Sequence, residues 1–246
     1  MRKSPDQSCA LGQQADERDC PKLSEYIRDV SGDGPERQLR AYDRTFLLGE
    51  KRTELVDLRE VRRYGCDAFG DPDYVSIYGL RPADWYARGV RLLGRTVVEC
   101  TRDLFADLIG RDLAAVAKTT ATGDGSIVVD PFVGSGNTLY WMARHIRPDR
   151  SIGFEQDDVV FELTRRNLSI MRLGIDVLHD SCERGLKTLI VRDGELVILF
   201  ISPPWGEALD LDAGLDLRRT TPPVAEIIDR ATGVFHPHKL LFGVQA

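Results

Sequence analysis

The sequence predicts an α/β chain built on a doubly wound, mostly parallel sheet, and three observations carry that expectation. Five short apolar runs recur through the second half, at 126–130, 151–155, 175–179, 196–201 and 239–244. Amphipathic stretches of helical period separate them, the pattern left by a sheet whose two faces are covered by crossover helices. The first run passes directly into a Gly-x-Gly turn and a helix start, as strands do at the ligand-binding edge of such sheets.

Taken in order, the chain opens with a polar, charged stretch from Met1 to about Pro35, broken by Pro5, Pro21 and SGDGP at 31–35. It has little apolar surface to bury and is expected to be flexible. Residues 36–100 hold Tyr42, Phe46, Tyr64, Phe69, Tyr74, Tyr78, Trp85 and Tyr86 without one clear period and read as a mixed accessory segment. Within it, DPDYVSIYGLRPADWYARG at 71–89 offers aromatic faces suited to a substrate lid, although such rings more often belong to a core. The remaining 101–246 form the expected core. Between Thr101 and Lys118, Leu104, Phe105, Leu108, Ile109, Leu113 and Val116 recur at helical spacing opposite Asp103, Asp107, Arg111 and Asp112. A turn at Gly123–Gly125 leads to the first strand. Helices are expected at 137–147, at 157–173 with Gly174 closing it, and from Pro223 to Ala231 with Gly233 past its end.

Composition excludes several classes. The 246 residues are 42% hydrophobic, enough for one sizeable core, and no run approaches the roughly 20 apolar residues of a membrane span. The first twenty residues lack the apolar stretch of a signal peptide, so the expected location is cytoplasmic. Five scattered cysteines, Cys9, Cys20, Cys66, Cys100 and Cys182, form no Cys-x-x-Cys pair and read as reduced thiols. His236 and His238 have no third ligand nearby and read as loop histidines, so no metal is expected. A net charge of −6 and a pI near 5.3 disfavour a broad grip on phosphate backbones but leave room for a local basic patch.

VVDPFVGSGNT at 128–138 is the first chemical motif. Gly134 and Gly136 let backbone approach a ligand, and the helix amides beyond them present a partly positive end. A phosphate-binding P-loop would need Gly-Lys-Ser/Thr where Gly136, Asn137 and Thr138 stand, and that reading fails. A dinucleotide fingerprint would need a third glycine at Leu139, which weakens that reading without removing it. S-adenosylmethionine has no pyrophosphate, and its methionine ammonium seeks a negative site, which Asp130 at the strand end supplies. Glu155 ends the second strand, nineteen residues after Gly136, where an acidic side chain accepts from ribose hydroxyls. Asp157 and Asp158 read as charges at a helix N-terminus. His179, Asp180 and Ser181 follow the third strand, where they either reach an adenine amino group or simply cap the next helix.

The second motif is Ser202-Pro203-Pro204-Trp205 with Gly206, at the carboxyl end of the fourth strand. Two prolines fix φ and remove amide donors, leaving stiff backbone with outward carbonyl acceptors. Ser202 Oγ and the Pro203 carbonyl then form an acceptor pair suited to a substrate N–H group.

Together, DPFVGSGNT and SPPW, some 65 residues apart and in this strand order, resemble the paired motifs of class I S-adenosylmethionine-dependent amino-methyltransferases. SPPWG with an acidic, leucine-containing stretch after it is most similar to the trimethylguanosine synthase branch, which methylates an exocyclic amine of a cap guanine. The resemblance covers about residues 126–245. It implies a Rossmann-like sheet of strand order 3-2-1-4-5 and cofactor contacts from Asp130, Phe132, Gly134, Gly136, Asn137, Thr138, Glu155, Asp180 and Ser181. It also implies that Ser202, Pro203, Pro204 and Trp205 carry the reaction, the first two orienting the target amine and Trp205 stacking on a planar substrate. The expected function is methyl transfer to an amino nitrogen of a nucleobase, RNA before DNA, or of another planar substrate. Alternatives are a small-molecule methyltransferase and a non-catalytic interaction module on the same fold. Methyltransferases of this class continue past the fifth strand with a helix and an antiparallel hairpin. This sequence stops at Leu240–Ala246, so either it is a fragment or the N-terminal region, a partner chain or self-association covers that edge.

Overall fold

The computed structural model describes residues 45–120, 125–210 and 214–245. The expected flexible stretch 1–35 and the first two residues of the Gly123–Gly125 turn lie outside these. Among the described residues, four helices come first: α1 (Thr45–Leu48), α2 (Leu58–Phe69), α3 (Pro82–Ala87) and α4 (Gly94–Glu99). The long helix α5 (Asp103–Thr120) precedes the alternating part: β1 (Ser126–Asp130), α6 (Asn137–Ile146), β2 (Arg150–Glu155), α7 (Asp158–Met171) and β3 (Asp176–His179). Then come α8 (Cys182–Thr188), β4 (Leu196–Ile201), a two-strand hairpin β5 (Leu209–Asp210) and β6 (Gly214–Leu215), α9 (Val224–Phe235) and β7 (Leu240–Val244).

The main sheet runs β3-β2-β1-β4-β7, with every pairing parallel. With β7 as its fifth strand this is the expected 3-2-1-4-5 order of a Rossmann-like doubly wound fold. Side chains alternate along β1 and β4. Val128, Leu196, Ile198 and Phe200 enter one cluster, while Ile127, Val129, Val197, Leu199 and Ile201 enter the other. The first cluster is covered by α5, α6 and α7 through Leu113, Leu139, Met142 and Leu168, the second by Leu186 of α8 and Val224, Ile227, Ala231 and Phe235 of α9. All six residues of β4 are buried, which explains its unbroken apolar run.

The accessory region packs into the first cluster through Leu47, Val61, Ile77, Tyr78, Trp85 and Val97. Its α2 is fixed by a capping box: Asp57 accepts from the Glu60 amide and Glu60 from the Asp57 amide, both at 2.8 Å, and Gly70 closes the helix at φ 67°. Trp85 is wholly buried and donates its indole N–H to the Val75 carbonyl at 3.0 Å. Tyr78 and Trp85 are therefore core rings; Tyr74 and Tyr86 are half-buried, with the Arg102 and Arg91 guanidinium groups over their faces.

Two helix ends differ from expectation. The second crossover helix ends at Met171 with Arg172 in the left-handed region (φ 55°), so Gly174 is not its cap. The last helix runs four residues beyond Ala231, through Gly233. Extension buries Phe235 beside Ala231 and Ile227, which outweighs the roughly 1 kcal/mol cost of a helical glycine. No described helix is long and apolar enough to cross a membrane.

Candidate functional site

Three strand ends build the site. Since β1 lies between β2 and β4, Asp130 at its carboxyl end is flanked by Glu155 on one side and by Ser202, one residue past β4, on the other. Asp130 is 2% exposed, and its carboxylate accepts from the Phe132 amide at 3.0 Å. Among the described residues it has no other donor. Burial pushes its carboxyl up to about 7, with the neighbouring Glu155 charge adding to the rise. Glu155 is likewise raised by burial, although it accepts from the Asp157 amide at 2.9 Å and the Gly134 amide at 3.2 Å. Asp157 caps α7 and pairs with Arg95 at 2.8 Å, while Asp158 lies in the first turn, as read from sequence.

Gly134 and Gly136 both sit at positive φ, 49° and 74°, but for different reasons. A Cβ on Gly136 would press on Leu168 at 2.9 Å and Thr164 at 3.1 Å, so this glycine admits α7 against the start of α6. A Cβ on Gly134 would meet only the Phe132 carbonyl, at 3.8 Å; there the loop faces open space. Gly153, outside the expected set, serves the same loop, because a side chain there would strike Val133 at 2.6 Å.

Asn137 is buried and committed to the protein. Its Oδ1 accepts from the Tyr78 amide at 2.7 Å, and its Nδ2 donates to the Thr101 carbonyl at 2.8 Å. Thr138 is also buried, in the first turn of α6, and Phe132 is half-buried against the second cluster. The Tyr78 hydroxyl donates to the Ser135 carbonyl and the Thr164 hydroxyl to the Gly134 carbonyl, so the loop is held from both neighbouring elements. Asp180 and Ser181 make the helix cap: Ser181 Oγ accepts from the Arg184 amide at 3.2 Å, and the Asp180 carboxylate pairs with the Arg184 side chain.

On the β4 side, Pro203 is buried, Ser202 and Trp205 are half-buried and Pro204 is exposed. Among the described residues no donor reaches the Pro203 carbonyl. Gly206–Ala208 form one turn of 3-10 helix, leading into the β5–β6 hairpin. Sequence reasoning missed Thr101, Gly153, Thr164 and Gln245, and it named Tyr78 only as a lid or core ring, not as a support of the glycine loop. For Gln245 a signal existed: it stands one residue past β7 as Ser202 stands one past β4, so strand pairing sets them side by side.

A groove of about 560 Å³ runs along the outer side of α5 and α6. Its lining includes Gly79, Asp103, Asp107, Arg111, Trp141 and Arg144, and Arg81, His145 and Arg147 complete its polar rim. Asp107 is shared by Arg111 and His145, both at 2.7 Å, and Asp103 accepts from the Trp141 indole at 2.6 Å. Arg144 and Arg147 are exposed and have no carboxylate partner among the described residues.

No family model matches the chain, and no curated protein does. Among solved structures it is similar to a methyltransferase from Geobacter sulfurreducens (18% identity, 65% of this chain, 68% of that one, TM-score 0.38). It is also similar to a conserved hypothetical protein of Streptococcus pyogenes (17%, 49% and 66%, 0.33). A third is a putative rRNA methylase from Clostridium thermocellum (17%, 50% and 63%, 0.34). The chain spans between 32% and 66% of the length of the first structures it matches.

Proposed function

We propose that the chain is an S-adenosylmethionine-dependent methyltransferase that modifies an amino nitrogen of a nucleobase, in RNA before DNA. The observation that carries this reading is Asp130, a buried carboxylate with one amide donor, between Glu155 and the SPPW turn at one edge of the sheet. A buried carboxylate so poorly satisfied is stabilised by a cation, and the methionine ammonium of S-adenosylmethionine is one. Glu155 suits ribose hydroxyls, and the open space over Gly134 admits the ligand. Bound there, S-adenosylmethionine supplies an electrophilic methyl group. Ser202 Oγ and the Pro203 carbonyl accept from the target amine, drawing its lone pair out of the ring and into line with that methyl. Trp205 offers a flat face to the base. Asp180 and Ser181, engaged in the cap of α8, follow β3, one strand further out than Glu155, which suits the adenine end of a cofactor bound there.

RNA is favoured by the groove beside α5 and α6, where Arg144 and Arg147 have no carboxylate partner among the described residues and Trp141 offers a half-buried ring. The net charge of −6 favours instead a small planar substrate, and salt-sensitive RNA binding separates the two.

Calorimetric titration with S-adenosylmethionine and S-adenosylhomocysteine tests the site directly. Micromolar binding is expected for the wild type and should be lost in Asp130→Ala and Glu155→Ala. No binding by a folded wild-type chain overturns the reading.

A further inference from the structure

A serine at the head of the reaction turn has an ambiguity that a carboxylate or amide oxygen does not, because its hydroxyl can donate or accept. Only an accepting oxygen helps an amine present its lone pair. In the structure the neighbour that sets this role is Gln245. Its amide donates to the Ile201 carbonyl at 3.0 Å, extending the β4–β7 pairing by one residue and seating its side chain beside Ser202. Gln245 Oε1 then accepts two hydroxyls, Ser202 Oγ at 3.2 Å and Thr101 Oγ1 at 3.1 Å. Thr101 is in turn fixed through its carbonyl to Asn137 at the first residue of α6.

We infer that Gln245 is a positioning residue for methyl transfer, which takes the Ser202 proton in a hydrogen bond and leaves the Ser202 lone pairs to accept from the target amine. The inference rests on the methyltransferase reading of the site. As the nitrogen–carbon bond forms, the carbon–sulfur bond breaks and its electron pair goes to sulfur, which departs as a neutral thioether. The proton lost from nitrogen passes to water; Gln245 neither gains nor loses one. Thr101 donates to the same oxygen from the other side, so both hydroxyls spend their protons on Gln245 and keep their lone pairs free. A chain of contacts thus joins the glycine loop to the reaction turn: Asn137, Thr101, Gln245, Ser202.

The test uses the full chain, labelled S-adenosylmethionine and an unmodified RNA transcript as methyl acceptor, with Gln245→Leu, Gln245→Glu and Thr101→Val. Gln245→Leu should lower kcat about tenfold to a hundredfold, the range for losing one preorganised polar contact, with affinity for S-adenosylmethionine held within about twofold. Gln245→Glu, an acceptor with no N–H, should restore most of the rate at neutral pH, which a merely structural role would not require. Independently of turnover, the side-chain amide resonances of Gln245 should move in Ser202→Ala and in Thr101→Val. Wild-type kcat in Gln245→Leu overturns the proposal, as does a Gln245→Glu variant no better than leucine or a Gln245 signal unmoved by Ser202→Ala. A wild-type chain that binds S-adenosylmethionine but methylates nothing overturns the transfer reading and this role with it, and is distinguished by its intact cofactor titration.

Discussion

Asp130 is held in a state that water would not allow. A carboxyl of this kind ordinarily titrates near 3.8, and burial in the fold pushes this one up to about 7. The folded chain therefore binds this proton more tightly than the unfolded chain does. The contribution to stability is fully present below about pH 4 and is lost as pH rises through about 7, an effect on the order of 4 kcal/mol for so buried a group. The urea midpoint of the ligand-free protein should accordingly be higher at pH 5 than at pH 8, and Asp130→Asn should shrink that difference. On the proposed reading the same ionisation sets ligand binding: affinity for cationic S-adenosylmethionine should rise between pH 6 and pH 7.5. A calorimetric affinity flat across that interval would show that Asp130 does not face the ammonium. This residue was legible in the sequence because its meaning is local, an acid ending an apolar strand before Gly134. Asn137 was legible as part of the motif but not in its role. Its partners, Tyr78 and Thr101, lie 59 and 36 residues away, and only the fold brings them together.

At the scale of elements, the glycine loop separates two duties that the motif writes with one letter. Gly136→Ala forces a methyl against Leu168 and Thr164 at positive φ, where α6 meets α7. It should cost about 1–3 kcal/mol of stability, read as a lower denaturation midpoint. Gly134→Ala adds a methyl to open space and should cost about 1 kcal/mol through its backbone alone. Its larger effect should be on S-adenosylmethionine affinity, lowered about tenfold or more, since that methyl stands where the ligand would pass. Equal stability losses in the two variants, with affinity untouched, would contradict this division. The strands of the main sheet begin and end within one residue of expectation because each is an apolar run bounded by polar turns. The accessory helices were not visible as elements. Both α3 and α4 have six residues, fewer than two turns, so no period accumulates, and in β5 and β6 two residues each leave no alternation to detect. For α2 a local signal did exist, the Asp57 and Glu60 capping box.

For the whole molecule, charge is distributed rather than balanced. A chain of net charge −6 carries Arg81, Arg111, Arg144 and Arg147 along one groove, two of them free of carboxylate partners among the described residues. If the substrate is RNA, Arg144→Ala with Arg147→Ala should weaken transcript binding. The double variant should also lower the slope of log affinity against log salt by roughly 1.4, two single-strand phosphate contacts. An unchanged slope would place the RNA elsewhere or favour the small-substrate reading.

The burial of β4 reaches beyond packing. In a protein that opens piecemeal, backbone with every side chain buried and a strand on either side is released last, while a two-residue hairpin frays at little cost. Ser202 follows that backbone directly, and Gln245 is laced to its final carbonyl. The proposed reaction turn is thus anchored where local unfolding arrives last. Opening of the β5–β6 hairpin leaves that turn assembled, so that losing its geometry requires the sheet itself to come apart.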